Sequence, residues 1–202
     1  PRPEFPSFDI TINIARLNTA LAWDTRDDPT DATRGTFASS SIEYAPEALG
    51  SDISFVRFVS QAYSFRPWRS VVFASAARLG VASALSDQEL IVSERFFAGG
   101  TGTVRGVADD SLGGVDFFGD PTGGEASLVF NQEVRVPIYR WVRGVAFIDA
   151  GNVFPRWGDV RVRDLVGSVG LGLRLAPPFA LLRADYARAI WTGSPERSKI
   201  GR

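Results

Sequence analysis

The sequence predicts an all-β protein: an antiparallel, up-and-down transmembrane β-barrel with one long loop. Three observations predict it. Apolar residues recur with a period of two along most of the 202 residues, which is the spacing of strands rather than of helices. The opposite face is polar, charged and glycine-bearing, repeatedly and in mid-segment. The connections alternate between short and long, as in barrels with tight turns on one rim and longer loops on the other.

Composition narrows the function classes. The chain is 45% hydrophobic, yet it has no run of about 18 apolar residues, which argues against a membrane-spanning helix. A net charge of −1 gives no field that would point to nucleic acid. Of the 22 basic residues only Lys199 is a lysine, and arginine suits planar, paired recognition of carboxylates. Without Cys there is no thiol nucleophile or Cys–zinc site, and without His the usual general base and commonest metal ligand are missing. Pro1 carries no initiator Met and no signal peptide, which reads as a mature or trimmed chain.

Eight strand-like segments follow in order, at roughly 16–24, 34–46, 52–66, 69–84, 124–137, 141–154, 165–177 and 178–192. Most exceed ten residues, and a membrane-spanning strand needs about 9–11. Before the first, Ile10, Ile12 and Ile14 are even whereas Leu17, Leu21 and Trp23 are odd, so a bulge or turn is expected near Ala15. In the fourth, Val71, Phe73, Ala77, Leu79 and Val81 share a face that Arg78 opposes. In the fifth, Leu128, Phe130, Val134 and Val136 oppose Asn131, Glu133 and Arg135. In the seventh, Val169, Leu171, Leu173 and Leu175 oppose Ser168, Gly170, Gly172 and Arg174. In the eighth, Leu182, Ala184 and Tyr186 oppose Arg183 and Asp185. A dry sandwich core cannot accept so many unpaired charges, and glycine weakens a strand unless something approaches closely. That face must meet water, as an open surface or as a wet lumen, and in a lumen the glycines would leave room for whatever fills it. Arg78, Arg135, Arg174 and Arg183 read as general lumen-facing charge rather than as partners of particular groups.

Tight connections are expected at Asp28-Pro29 with Gly35, at Arg66-Pro67, from Pro137 to Arg140 and at Pro177-Pro178. The connection at about 85–123 is far longer, and loops of that length are usually functional or disordered. Trp23, Trp141, Trp157 and Trp191 fall near strand ends, where girdle anchors at a membrane interface would lie.

The long loop contains Ser93-Glu-Arg-Phe-Phe-Ala-Gly-Gly-Thr-Gly-Thr-Val-Arg-Gly-Val107. This resembles the ERFFxGGxxxVRGF signature of the BamA superfamily of outer-membrane barrels, the bacterial surface antigen domain. Other segments resemble that superfamily in order. They are Trp23 to Asp27 with Pro29 and Thr33-Arg34-Gly35, Phe147 to Val153, Ser168 to Leu175, and Leu182 to Tyr186. The resemblance implies a sixteen-stranded barrel, of which residues 1–202 would supply about eight strands, with N-terminal periplasmic domains and the final strand lying outside this chain. It implies that the loop docks in the lumen through Val104, Arg105 and Gly106, with Arg105 paired to Glu133 and Asp149 on the wall. Parity independently puts Glu133 with Asn131 and Arg135, and Asp149 opposite Ile148 and Ala150. Gly99, Gly100, Gly102 and Gly106 would let the loop turn tightly against the wall. One departure is Val107, where the superfamily usually has an aromatic residue; another is the end at Ser198 to Arg202, where its last strand should begin.

The function so implied is insertion or translocation of proteins in the bacterial outer membrane, by strand templating at a barrel seam and without nucleotide or other cofactor. Its partners would be outer-membrane lipids, client β-barrel proteins and accessory assembly proteins. Two-partner secretion and patatin-linked export barrels share the barrel type. A closed eight-stranded structural barrel and a soluble β-sandwich are the remaining alternatives. No catalytic constellation is present: there is no His for a triad, no Gly-x-Ser-x-Gly elbow and no His/Cys metal set, so the chain reads as non-enzymatic.

Overall fold

The structure, a computed structural model, describes residues 11–85, 89–177 and 181–191. Ten strands follow in chain order: β1 Leu17–Asp24, β2 Gly35–Ala45, β3 Phe55–Trp68, β4 Val71–Ala84, β5 Gly114–Val115, β6 Pro121–Gly123, β7 Ala126–Tyr139, β8 Val142–Phe154, β9 Val166–Leu175 and β10 Leu182–Trp191. Eight of them form one antiparallel sheet in the order β1-β2-β3-β4-β7-β8-β9-β10, and the short β5 and β6 pair within the long loop. Each main strand therefore hydrogen-bonds its sequence neighbour, the up-and-down arrangement that alternation and short turns favour. β1 and β10 are the sheet's two edges and do not pair with each other. This corrects the alternative of a closed eight-stranded barrel, and a single sheet equally removes the two-layered sandwich.

Burial follows parity. On β9, Leu171 and Leu173 are 68% and 52% exposed, whereas Ser168 and Arg174 are 0% and 6% exposed. Phe73, Phe130, Ile148, Leu182 and Tyr186 are likewise exposed. The apolar face thus points out and the polar face is covered, the reverse of a water-soluble sheet. The polar face is covered by the chain's own long connection, as seen in residues 89–125. Buried loop residues Ala98, Val104 and Leu112 pack on Val129 and Val153 of the wall, and Leu90 and Phe96 pack on Phe55 and Ala82.

The strand-borne glycines of the inner face make room for this filling. A Cβ on Gly80 would stand 2.5 Å from the Phe96 ring, and one on Gly151 would stand 2.9 Å from Val104 Cγ2. A Cβ on Gly170 would collide with the Phe147 ring, and one on Gly172 with the Asp185 carboxylate.

The turns differ from expectation in detail. Arg66-Pro67 and Pro137 lie within the last residues of β3 and β7, and the hairpins close instead at Arg69-Ser70 and Arg140-Trp141. Proline is tolerated near a strand end, and two-residue hairpins need positive φ, which Arg69 (54°) and Arg140 (41°) adopt. β1 begins at Leu17, and residues 11–16 form no regular element. They are tied down by Asp52 and Ser51, which bond Asn13 and Ala15. The phase change near Ala15 therefore coincides with the strand's start; Ile10, Pro178 and the Ser198 to Arg202 end lie outside the described residues. Trp23, Trp68, Tyr139 and Trp141 are exposed at the short-turn rim, and Tyr44, Trp157 and Trp191 at the opposite one. Two aromatic belts separated by the apolar outer face are the arrangement a bilayer favours.

Candidate functional site

The loop enters the concave face through its Glu94-Arg95-Phe96 segment. Glu94, buried, accepts two bonds from the Arg16 guanidinium at 2.9 and 3.3 Å, and Arg16 also reaches Glu43 at 3.2 Å. Arg95 Nε donates to the Leu90 carbonyl at 2.8 Å, closing the turn before it. Phe96 pairs by backbone with Gly124, and the Arg57 guanidinium lies 4.8 Å from its ring centre.

At the loop's tip stands Arg105, 5% exposed. Its Nε and Nη2 donate to Asp149 Oδ2 and Oδ1 at 2.7 and 2.8 Å, a bidentate fork, and its backbone N–H adds a third bond to Oδ2 at 3.1 Å. Nη1 donates to Glu133 at 2.7 Å and to Asp185 at 3.3 Å. The guanidinium carbon also lies over the Phe147 ring, 3.4 Å from its centre. Burial opposes the charge of Arg105, but the bonds it donates to Asp149 and Glu133, with the negative charges of both, outweigh it, so its pKa is raised. A guanidinium paired with carboxylates through each of its nitrogens is the form in which a buried charge is tolerated.

The wall residues arrive by register. Asn131 stands opposite Asp149 across β7 and β8, and Asp149 opposite Ser168 across β8 and β9. Asn131 bonds Asp149 Oδ1 at 2.8 Å and the loop carbonyl of Thr103 at 2.7 Å. Arg174 reaches Glu133 at 3.2 Å and pairs with Asp185, and Arg135 pairs with Glu133 at 2.9 Å. Arg78 donates to the Gly102 carbonyl and to Asn131 Oδ1, each at 2.6 Å, and Arg183 reaches the Thr101 carbonyl at 3.3 Å. The arginines expected to be general lumen charge therefore have defined partners, and Asp185 is a third carboxylate beside Glu133 and Asp149. Parity had already put all of them on the face of Glu133; what it could not supply was cross-strand register.

The remaining loop residues divide. Val104 is fully buried against the wall, and Val107, in the place of an aromatic, packs partly buried on the same cluster. Gly99, Gly100 and Gly106 have φ of 119°, 81° and 79°. A Cβ on Gly106 would stand 2.8 Å from the Ala187 carbonyl carbon of β10. Gly102 departs from expectation: its φ is ordinary and nothing lies within 4 Å of where a Cβ would be.

A second inward fold lies at the short-turn rim. The β1–β2 connection, residues 25–34, was expected to be a tight turn, but it runs ten residues and bends over the inner face. Asp31 pairs with Arg143 of β8 at 2.6 Å, Ala32 is buried with Phe65, Val72 and Ala74, and its carbonyl accepts a bond from Arg135 at 3.4 Å. Asp27 organises the turn, accepting bonds from the Thr33 hydroxyl and from the backbone of Thr33 and Arg34. Among the described residues no group of three His, Cys, Asp or Glu could hold a metal ion.

A curved wall with an apolar outside, charged inside and an arginine-tipped loop docked within defines one class: an outer-membrane-type β-barrel whose lumen is plugged by its own loop. The chain belongs to the Omp85 superfamily, whose domain profile matches residues 9–199. It is 25% identical over 195 residues to a SAM50-like protein of Schizosaccharomyces pombe, covering 88% of this chain and 41% of that protein. It is 27% identical over 193 residues to the outer membrane protein assembly factor BamA of Nitratidesulfovibrio vulgaris, covering 89% of this chain and 23% of that protein. The crystal structure of BamA from Haemophilus ducreyi lacking POTRA domains 1-3 superposes with a TM-score of 0.73 at 21% identity, covering 86% of this chain and 38% of that one. That likeness shows the fold. The chain thus spans less than half the length of each of these relatives.

Proposed function

We propose that this chain forms about half the wall of a sixteen-stranded outer-membrane barrel that inserts other β-barrel proteins. The observation that carries the reading is Arg105 held by Asp149, Glu133 and Asp185 in a chain of the Omp85 superfamily. The BamA relative is an outer membrane protein assembly factor by name, which favours assembly over two-partner or patatin-linked export. The apolar outer face meets membrane lipid, in a bacterium the outer membrane. The docked loop keeps the lumen filled and the wall in register. A client strand is templated by the exposed edge where the full barrel's seam opens, because unpaired backbone N–H and C=O groups bind an incoming strand. Client folding supplies the free energy, so neither nucleotide nor catalytic residue is needed. Accessory assembly proteins would bind outside the segment described.

Arg105→Ala in the full-length protein tests this. We expect the loop around residues 93–107 to become protease-sensitive and the yield of assembled porins to fall. Normal assembly with an exposed loop would refute the link from docking to function, and a protected loop would refute the role of Arg105.

A further inference from the structure

We propose that the lumen holds an oxyanion site between the loop tip and the wall, built around Arg78 and Arg183 and suited to a carboxylate or phosphate group. Charge balance in the network points there. Among the described residues, Glu133, Asp149 and Asp185 face five guanidiniums: Arg78, Arg105, Arg135, Arg174 and Arg183. Arg105, Arg135 and Arg174 each sit within 3.3 Å of a carboxylate. Arg183 reaches one only at 3.9 Å. Arg78 reaches none among the described residues: its two bonds go to the neutral oxygens of Gly102 and Asn131. Its Nε is buried and has no acceptor. With Nε closed off, an oxyanion would meet Arg78 through its two Nη atoms, whose charge no carboxylate among the described residues balances.

The space is present. A cavity of about 340 Å³ is lined by Arg78, Arg135, Arg183, Thr101, Thr103 and Glu133, among others. A water's share of liquid volume is about 30 Å³, so a phosphate or side-chain carboxylate fits with solvent to spare. The loop brings the two cations together: Arg78 on β4 and Arg183 on β10 come from strands separated by β7, β8 and β9, yet they bond the adjacent carbonyls of Gly102 and Thr101. Guanidinium prefers a charged oxygen to a neutral carbonyl, so the anion finds two donors already in place. This inference does not depend on the barrel's assembling other proteins.

Isothermal titration of the full-length protein in detergent at low salt tests it, with inorganic phosphate and a short acidic peptide as the two probes. Binding of either that weakens tenfold or more in Arg78→Gln, weakens in Arg183→Gln, and is retained in Arg161→Gln, which removes an exposed arginine, supports the site. Phosphate binding alone identifies a free anion as the occupant; peptide binding alone identifies a chain-borne carboxylate. Absence of binding by both probes, or binding equal in all three variants and hence an adventitious ion only, overturns it. Should Arg78→Gln fail to fold, Arg183→Gln decides alone: weakened binding there, with binding retained in Arg161→Gln, supports the site, and unchanged binding overturns it.

Discussion

Arg105 makes three side-chain bonds to carboxylates at 2.7–2.8 Å and a weaker fourth at 3.3 Å. Removing it would strand Asp149, which is fully buried, and breaking one partner of a buried pair costs about 3–5 kcal/mol. In hydrogen exchange, backbone amides of residues 99–107 should therefore exchange about a hundredfold faster or more in Arg105→Ala. Arg105→Lys should fall between wild type and Ala, since an ammonium cannot span Asp149 and Glu133 as a fork does; a lysine equal to arginine would contradict the bidentate geometry. The glycines give a matched pair. Gly106→Ala must undock the tip, because its φ is positive and the β10 backbone leaves no room for a Cβ. Gly102→Ala should leave exchange unchanged, because the space beside Gly102 is open.

Among the elements, the strands were legible from the sequence and the inward folds only partly so. Period-two alternation is a local signal, and it placed the eight main strands to within a few residues, with Glu133 and Asp149 on the covered face. The loop's docking came from the resemblance around Arg105 rather than from any local pattern. The inward bend of residues 25–34 was not legible: Asp31 and Arg143 are 112 residues apart, and turn chemistry at Asp28-Pro29 says where a chain reverses, not what it then covers. The same holds for Arg174 and Asp185, whose partners depend on the register of strands far apart in sequence.

This connection also has a pH signature. Bonds from the Thr33 hydroxyl and the Arg34 and Thr33 amides hold Asp27 well below the usual carboxylate range. A group whose folded pKa is depressed stabilises above its unfolded value, about pH 4, and that contribution fades as pH falls through the folded value. Exchange at residues 28–34, corrected for intrinsic rates, should thus be flat from pH 8 to about 5 and accelerate below about 4. Asp27→Asn should show fast exchange throughout, and a pH-independent difference in wild type would remove Asp27 from this role.

For the molecule as a whole, the account rests on which face meets lipid. The chain has no cysteine, so single cysteines can be introduced without background. The most direct measurement is a cysteine scan through Val166–Leu175 in the full-length protein reconstituted in bilayers, each site labelled with a fluorophore and quenched by brominated lipid chains. Quenching should alternate, strong at Val169, Leu171 and Leu173 and absent at Ser168 and Arg174. Quenching at Ser168 or Arg174, or no alternation along the strand, would contradict a wall with lipid outside and the docked loop within.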